Sequence, residues 1–75
     1  MNVYNFTYGA NDDVKEIEVY ANDEAEAKTK FSSKTGLSDY NCEMLGVCED
    51  FDKAKLAEEY KARYKDVNYE DFVIL

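Results

Sequence analysis

Two segments of alternating polarity on either side of a turn constrain the fold of this chain more than any other feature. From Val3 to Tyr8, Tyr4, Phe6 and Tyr8 fall on one face and Asn5 and Thr7 on the other, the pattern of a half-buried strand. Val14 to Ala21 alternates again, with Ile17, Val19 and Ala21 on one face and Glu16 and Glu18 opposite. Gly9-Ala-Asn-Asp-Asp13 between them has the composition of a turn, so the whole stretch predicts an antiparallel hairpin.

A helix should follow, capped by Asn22 or Asp23 and running to about Lys34. Glu24 and Glu26 complement the positive end of its dipole, and Lys28, Lys30 and Lys34 the negative end. Ala27 and Phe31, four residues apart, face the sheet, and Thr35-Gly36 supplies the stop. Tyr40 to Cys48 predicts a third strand with a broken phase. Cys42 and Met44 share a face, whereas Leu45 and Val47 divide around Gly46, which calls for a bulge there or burial on both faces.

A second helix begins at Asp50 or Asp52. In it Leu56, Tyr60 and Tyr64 recur at four-residue steps, Ala57 and Val67 widen the stripe, and Glu59 and Arg63 are spaced to pair. The run Phe72-Val-Ile-Leu75 is either a fourth strand or an extended tail, and an unpaired apolar edge there would invite association. The expected fold is α+β, a single domain over residues 1–75 in the order β-β-α-β-α with a C-terminal β. Its sheet is mostly antiparallel, of three or four strands, packed by two helices.

A chain of 75 residues buries only roughly 60% of the surface its unfolded form exposes. Its stability is therefore at most about 4–11 kcal/mol. An apolar fraction of 45% and seven Tyr with four Phe are enough for a small core, which argues against disorder despite the charge. That charge is −8, from 17 Asp and Glu against nine Lys and Arg with no histidine. Such an excess repels phosphate backbones and speeds encounter with basic surfaces. A basic protein is the expected partner, and direct nucleic-acid binding is not.

Enzymatic readings lack their residues. Without histidine there is no Ser-His-Asp or Cys-His arrangement, and neither cysteine has a basic sequence neighbour to activate it. Gly9, Gly36 and Gly46 are isolated, so no phosphate-cradling loop is spelled. Asp50-Phe-Asp52 offers two oxygen ligands but lacks the glycine and closing glutamate of a calcium loop. No catalytic residue, cofactor or metal is expected. Cys42 and Cys48 would stand about 20 Å apart in an extended segment, at roughly 3.3 Å per residue. A disulfide needs less than about 7 Å, so both read as reduced, packed residues of a cytoplasmic protein. The start MNVYNFTYG spells no signal peptide, and no run approaches the ~18 apolar residues of a membrane span.

The acidic clusters remain as the binding candidates: Asp12, Asp13, Glu16 and Glu18 on the hairpin, Asp23, Glu24 and Glu26 at the first helix start, and Glu49, Asp50 and Asp52 before the second. Glu16 and Glu18 would stand about 6.7 Å apart on one strand face, about two rises of a nucleic-acid strand, so a row of such groups can present carboxylates where a basic groove expects phosphates. Each cluster also has a plainer account, as a solvated face or as helix caps. Tyr60 and Tyr64 read as core, whereas Tyr8, Tyr40 and Tyr69 lie near element ends and are freer to anchor an interface.

The stretch Val19-Tyr-Ala-Asn-Asp-Glu-Ala-Glu-Ala-Lys-Thr-Lys-Phe31, followed by Thr35-Gly36, resembles the hairpin-helix-strand units common in small phage and mobile-element proteins. In size, acidity and lack of catalytic residues the whole chain resembles the small phage-encoded inhibitors of bacterial defence, of which anti-CRISPR proteins are the familiar class. Those proteins share no motif, so the resemblance transfers no residue role. It implies a stoichiometric inhibitor in the host cytoplasm that covers a Lys/Arg-rich surface of a nuclease or guide-RNA complex and excludes DNA. The alternative is a structural or assembly module that associates through its apolar C-terminal strand; monomer and homodimer are both open.

Overall fold

The computed structural model describes residues 1–10 and 12–75; Asn11, at the centre of the expected turn, lies outside the described residues. Strands β1 (Asn2–Ala10) and β2 (Asp13–Ala21) pair antiparallel from Asn2↔Ala21 to Ala10↔Asp13, the hairpin that the alternation predicts. Gly9 holds φ at 105°, and a Cβ there would collide with the Asp13 carbonyl oxygen, so the approach to the turn requires glycine.

Strand β3 (Asn41–Val47) pairs antiparallel with the other side of β1. Its register steps from Tyr4↔Met44 to Val3↔Gly46, which leaves Leu45 as the extra residue of a bulge beside Gly46. Strand β4 (Val73–Ile74) lies parallel to β2 at Glu18 and Val19. The sheet order is β3-β1-β2-β4, so the C-terminal run is a paired strand and β3 is an edge.

Helix α1 (Glu24–Thr35) covers the face that the aromatic alternation marks. Asp23 caps it by accepting from the Glu26 amide at 2.8 Å, and Gly36 closes it in the left-handed conformation at φ 73°. Tyr4, Phe6, Ile17, Val19, Ala21, Ala27 and Phe31 form the buried core on this side. Phe31 stacks on Phe6 with centroids 4.5 Å apart, and Tyr8 and Tyr40 meet it edge-on. Tyr8 and Tyr40 are thus half-buried against the core rather than free, as Tyr69 is against the second core described next.

Helix α2 (Lys53–Arg63) packs on the opposite face, giving three layers with the sheet in the middle. Asp52, not Asp50, caps it, accepting from the Lys55 amide at 3.2 Å. The second core joins Tyr20, Tyr60 and Val73 with Val3, Phe51, Leu56, Tyr64 and Tyr69 around them. Three expectations are corrected here. Val67 lies beyond the helix and is 51% exposed, so it does not widen the apolar stripe. Arg63 is not ion-paired with Glu59 but lies over the Tyr60 ring, 5.3 Å from its centroid, where the face of the aromatic ring attracts the guanidinium. Glu18 does not stand in open solvent: α2 covers its end of the face and half-buries it.

Candidate binding site

Strand geometry separates the three acidic clusters into two groups. Eight residue steps from Asp13 to Ala21, at roughly 3.3 Å each, put Asp12 and Asp13 about 26 Å from the Asp23–Glu26 turn. Val47 and Ala21 both pair with Asn2, so Glu49, Asp50 and Asp52 sit at the same end of the sheet as Asp23, Glu24 and Glu26. The strands carrying them there are two spacings apart, about 9.6 Å. The fold sets those two clusters at one end of the sheet, at the starts of helices on opposite faces, and leaves the hairpin cluster at the far end.

Several of these carboxylates are already engaged. Glu24 pairs with Lys28 at 3.6 Å and Glu26 with Lys30 at 3.5 Å, so lysines one helical turn away counter this cluster, as their i,i+4 spacing allows. Glu26 also accepts from the Asn22 side chain at 3.1 Å, and Asp23 and Asp52 serve as caps. The Lys30 ammonium in addition donates to the main-chain oxygens of Tyr20, at 2.7 Å, and Leu75, at 3.2 Å, tying α1 to the end of β2 and to the C-terminal strand region. Among the described residues, Asp12, Asp13, Glu49 and Asp50 are exposed and make no ion pair, and Glu16 has only a long contact from the Asn5 amide at 3.5 Å.

Glu18 ends a buried hydroxyl chain. A carboxylate only accepts, so the Tyr60 hydroxyl donates to Glu18, at 3.3 Å, and is left to accept from the Tyr20 hydroxyl at 3.0 Å. Burial first, then the Tyr20 hydrogen bond and the negative charge of Glu18, push the Tyr60 hydroxyl well above the ordinary tyrosine range. Cys42 packs on the α1 core, and burial followed by the Glu24 charge raises its thiol, partly offset by Lys28. It is a poor nucleophile for that reason. Cys48 packs on the other core, and both cysteines are free thiols. Among the described residues no three Cys, Asp or Glu side chains gather to hold a cation, and no helix is long and apolar enough to cross a membrane.

An open cleft of about 930 Å³ runs along the outer side of β2 between the C-terminal ends of the two helices. Glu16, Glu18, Tyr60, Arg63 and Tyr64 line its α2 side, Tyr8, Lys34 and Thr35 its α1 side, and Asp71 and Phe72 close one end. The sequence reading identified Glu16 and Glu18 but missed Arg63, Asp71 and Phe72, and also Glu43, which shares a cross-strand row with Asn5 and Glu18. The phase of Glu43 was readable, since Cys42 and Met44 share the other face; what the sequence did not show is that β3 pairs with β1 and so sets Glu43 in line with Asn5 and Glu18. The cleft had one readable sign: Val3 and Tyr20 are apolar on the face that the alternation otherwise marks as polar, so part of that face needed a cover. No family model, no curated protein and no solved structure matches the chain.

Proposed function

We propose that this protein is a non-catalytic acidic binding protein that occupies a basic surface of a nucleic-acid-handling partner, in the manner of a phage inhibitor of a CRISPR-type nuclease complex, and excludes nucleic acid by charge. The observation that carries the reading is that the carboxylates at the hairpin end remain available. Among the described residues, Asp12, Asp13 and Glu16 are exposed without an ion pair, in a chain with 17 acidic against nine basic residues. Carboxylates that need no rearrangement to meet a lysine-rich surface raise the encounter rate and disfavour neutral partners.

The test is a low-salt pull-down from the host followed by a salt gradient, with Asp12→Lys, Asp13→Lys and Glu16→Lys combined in the comparison protein. Glu18 is left intact because it supports α2. The expected result is a retained basic protein that elutes as salt rises, fails to bind the charge-reversed chain, and loses its own nucleic acid to the wild-type chain in fluorescence anisotropy. Equal retention of both chains, or no displacement of nucleic acid, refutes the reading.

One observation favours a second reading, an assembly module. Met44, Leu45 and Val47 on edge strand β3 are 50%, 52% and 61% exposed, an apolar edge of the kind that recruits another strand. The C-terminal run is less suited to that role, since Val73 is buried and β4 is already paired to β2. Sedimentation of a dimer that Leu45→Lys dissociates would favour assembly; a monomer at all concentrations would remove it.

A further inference from the structure

We infer that the cleft beside β2 is a strand-addition site that takes an extended segment of the partner with Lys or Arg at alternate positions. The inference rests on the proposed function for the partner's basic character, and on the backbone for the rest. Strand β4 pairs with β2 only at Glu18 and Val19, so among the described residues nothing pairs with the outer side of Asp13–Ile17.

The direction of the free groups follows from two bonds. The Glu18 amide donates outward to the Phe72 oxygen at 2.8 Å, and the Tyr20 oxygen points outward to Lys30. In an antiparallel pair, alternate residues turn both N–H and C=O to the same side. Glu16 and Val14 therefore present their amide and carbonyl groups to the cleft, in line with the position of β4. An unpaired edge beside a walled groove is what strand addition uses, main-chain bonds giving affinity and the walls reading alternate side chains.

The walls set the chemistry. Glu16 and Glu18 share the α2 side by strand phase; Arg63 on that side is folded over the Tyr60 ring, so the two carboxylates leave the side net negative, and the exposed Glu16 suits a guanidinium or ammonium. The α1 side carries Lys15, by phase, and Lys34, and rejects one. A segment with cations on one face and neutral residues on the other satisfies both. Antiparallel pairing of β2 with a second copy about a two-fold axis centred on Lys15 or Glu16 sets that residue opposite its own copy, like charge against like charge.

The experiment titrates ¹⁵N-labelled protein with acetyl-Thr-Arg-Val-Arg-Thr-amide and follows amide shifts and hydrogen exchange. The expected result is a saturable shift centred on Val14, Glu16 and Tyr64, with slowed exchange at Val14 and Glu16. N-methylation at alternate peptide residues should abolish binding in one parity only, because only one set of peptide amides faces β2. Replacing both arginines by glutamate should weaken binding by at least about tenfold. Absence of saturation at millimolar peptide, equal loss in both parities, or shifts confined to β3 overturns the site. Equal binding of the glutamate peptide overturns the basic segment. So does a free dimer with Val14 and Glu16 already protected, which would assign the groove to a second copy. A failed pull-down with intact peptide binding counts against the basic-partner reading alone.

Discussion

Replacing Tyr60 by phenylalanine removes one oxygen and two hydrogen bonds while leaving the ring that fills the α2 core. The lost bonds are the one donated to Glu18 at 3.3 Å and the one accepted from Tyr20 at 3.0 Å. A bond to a charged acceptor is worth about 1.5–3 kcal/mol and one between neutral groups about 0.5–1.5 kcal/mol. Water replaces part of the first, since Glu18 is half-exposed, but reaches little of Tyr20, which is 8% exposed. The expected destabilisation is therefore about 1.5–2.5 kcal/mol, from a total of about 4–11 kcal/mol. With a urea slope near 1 kcal/mol/M for so small a domain, the unfolding midpoint at pH 7 should fall by about 1.5–2.5 M. A second signature lies in alkali. The Tyr60 hydroxyl is raised in the folded state, so the folded protein keeps a proton that the unfolded chain releases above its ordinary pKa of 10.0. The stability tied to this proton is complete below that pH and is lost as pH climbs toward the folded value. The phenylalanine variant should lack this component of the alkaline decline. A change under about 0.5 kcal/mol at pH 7 together with an unchanged alkaline slope would refute the hydroxyl chain as the anchor of α2.

Other substitutions probe the remaining supports. Phe31→Ala removes the ring stacked on Phe6 and should cost about 3–5 kcal/mol, enough to leave much of the protein unfolded by circular dichroism at room temperature. Asp23→Ala and Asp52→Ala each delete a cap; each should cost about 0.5–2 kcal/mol in urea unfolding, with faster amide exchange in the first turn of the helix affected. Gly9→Ala forces a Cβ against the Asp13 carbonyl at positive φ and should destabilise the hairpin by about 1–3 kcal/mol, measured the same way; a neutral result would mean that the turn is not held as described.

Local chemistry made most of the fold legible. Alternation over Val3–Tyr8 and Val14–Ala21 specifies the hairpin because strand side chains repeat every two residues, and Asp23 with Gly36 marks α1 because orphan amides and left-handed closure need those residue types. The broken phase of β3 pointed to its bulge for the same reason. The binding candidates were legible only as charge. That Glu24 and Glu26 would be countered by lysines one turn away follows from spacing, but that Glu18 would end under a helix depends on where α2 docks.

The sequence by itself determined the hairpin, the third strand and the two helices, narrowed each helix N-cap to two residues, and made the chain acidic, since each of these depends on neighbours within a few positions. Only the tertiary structure decided that the two helices take opposite faces, that β4 adds parallel to β2 and stops after two residues, and that a free edge with outward amides at Val14 and Glu16 remains beside a cleft. Those outcomes depend on contacts between residues 40 or more apart in the chain, such as Tyr20 with Tyr60 and Lys30 with Leu75. No local pattern encodes such contacts, because they form only when distant apolar faces find a common core.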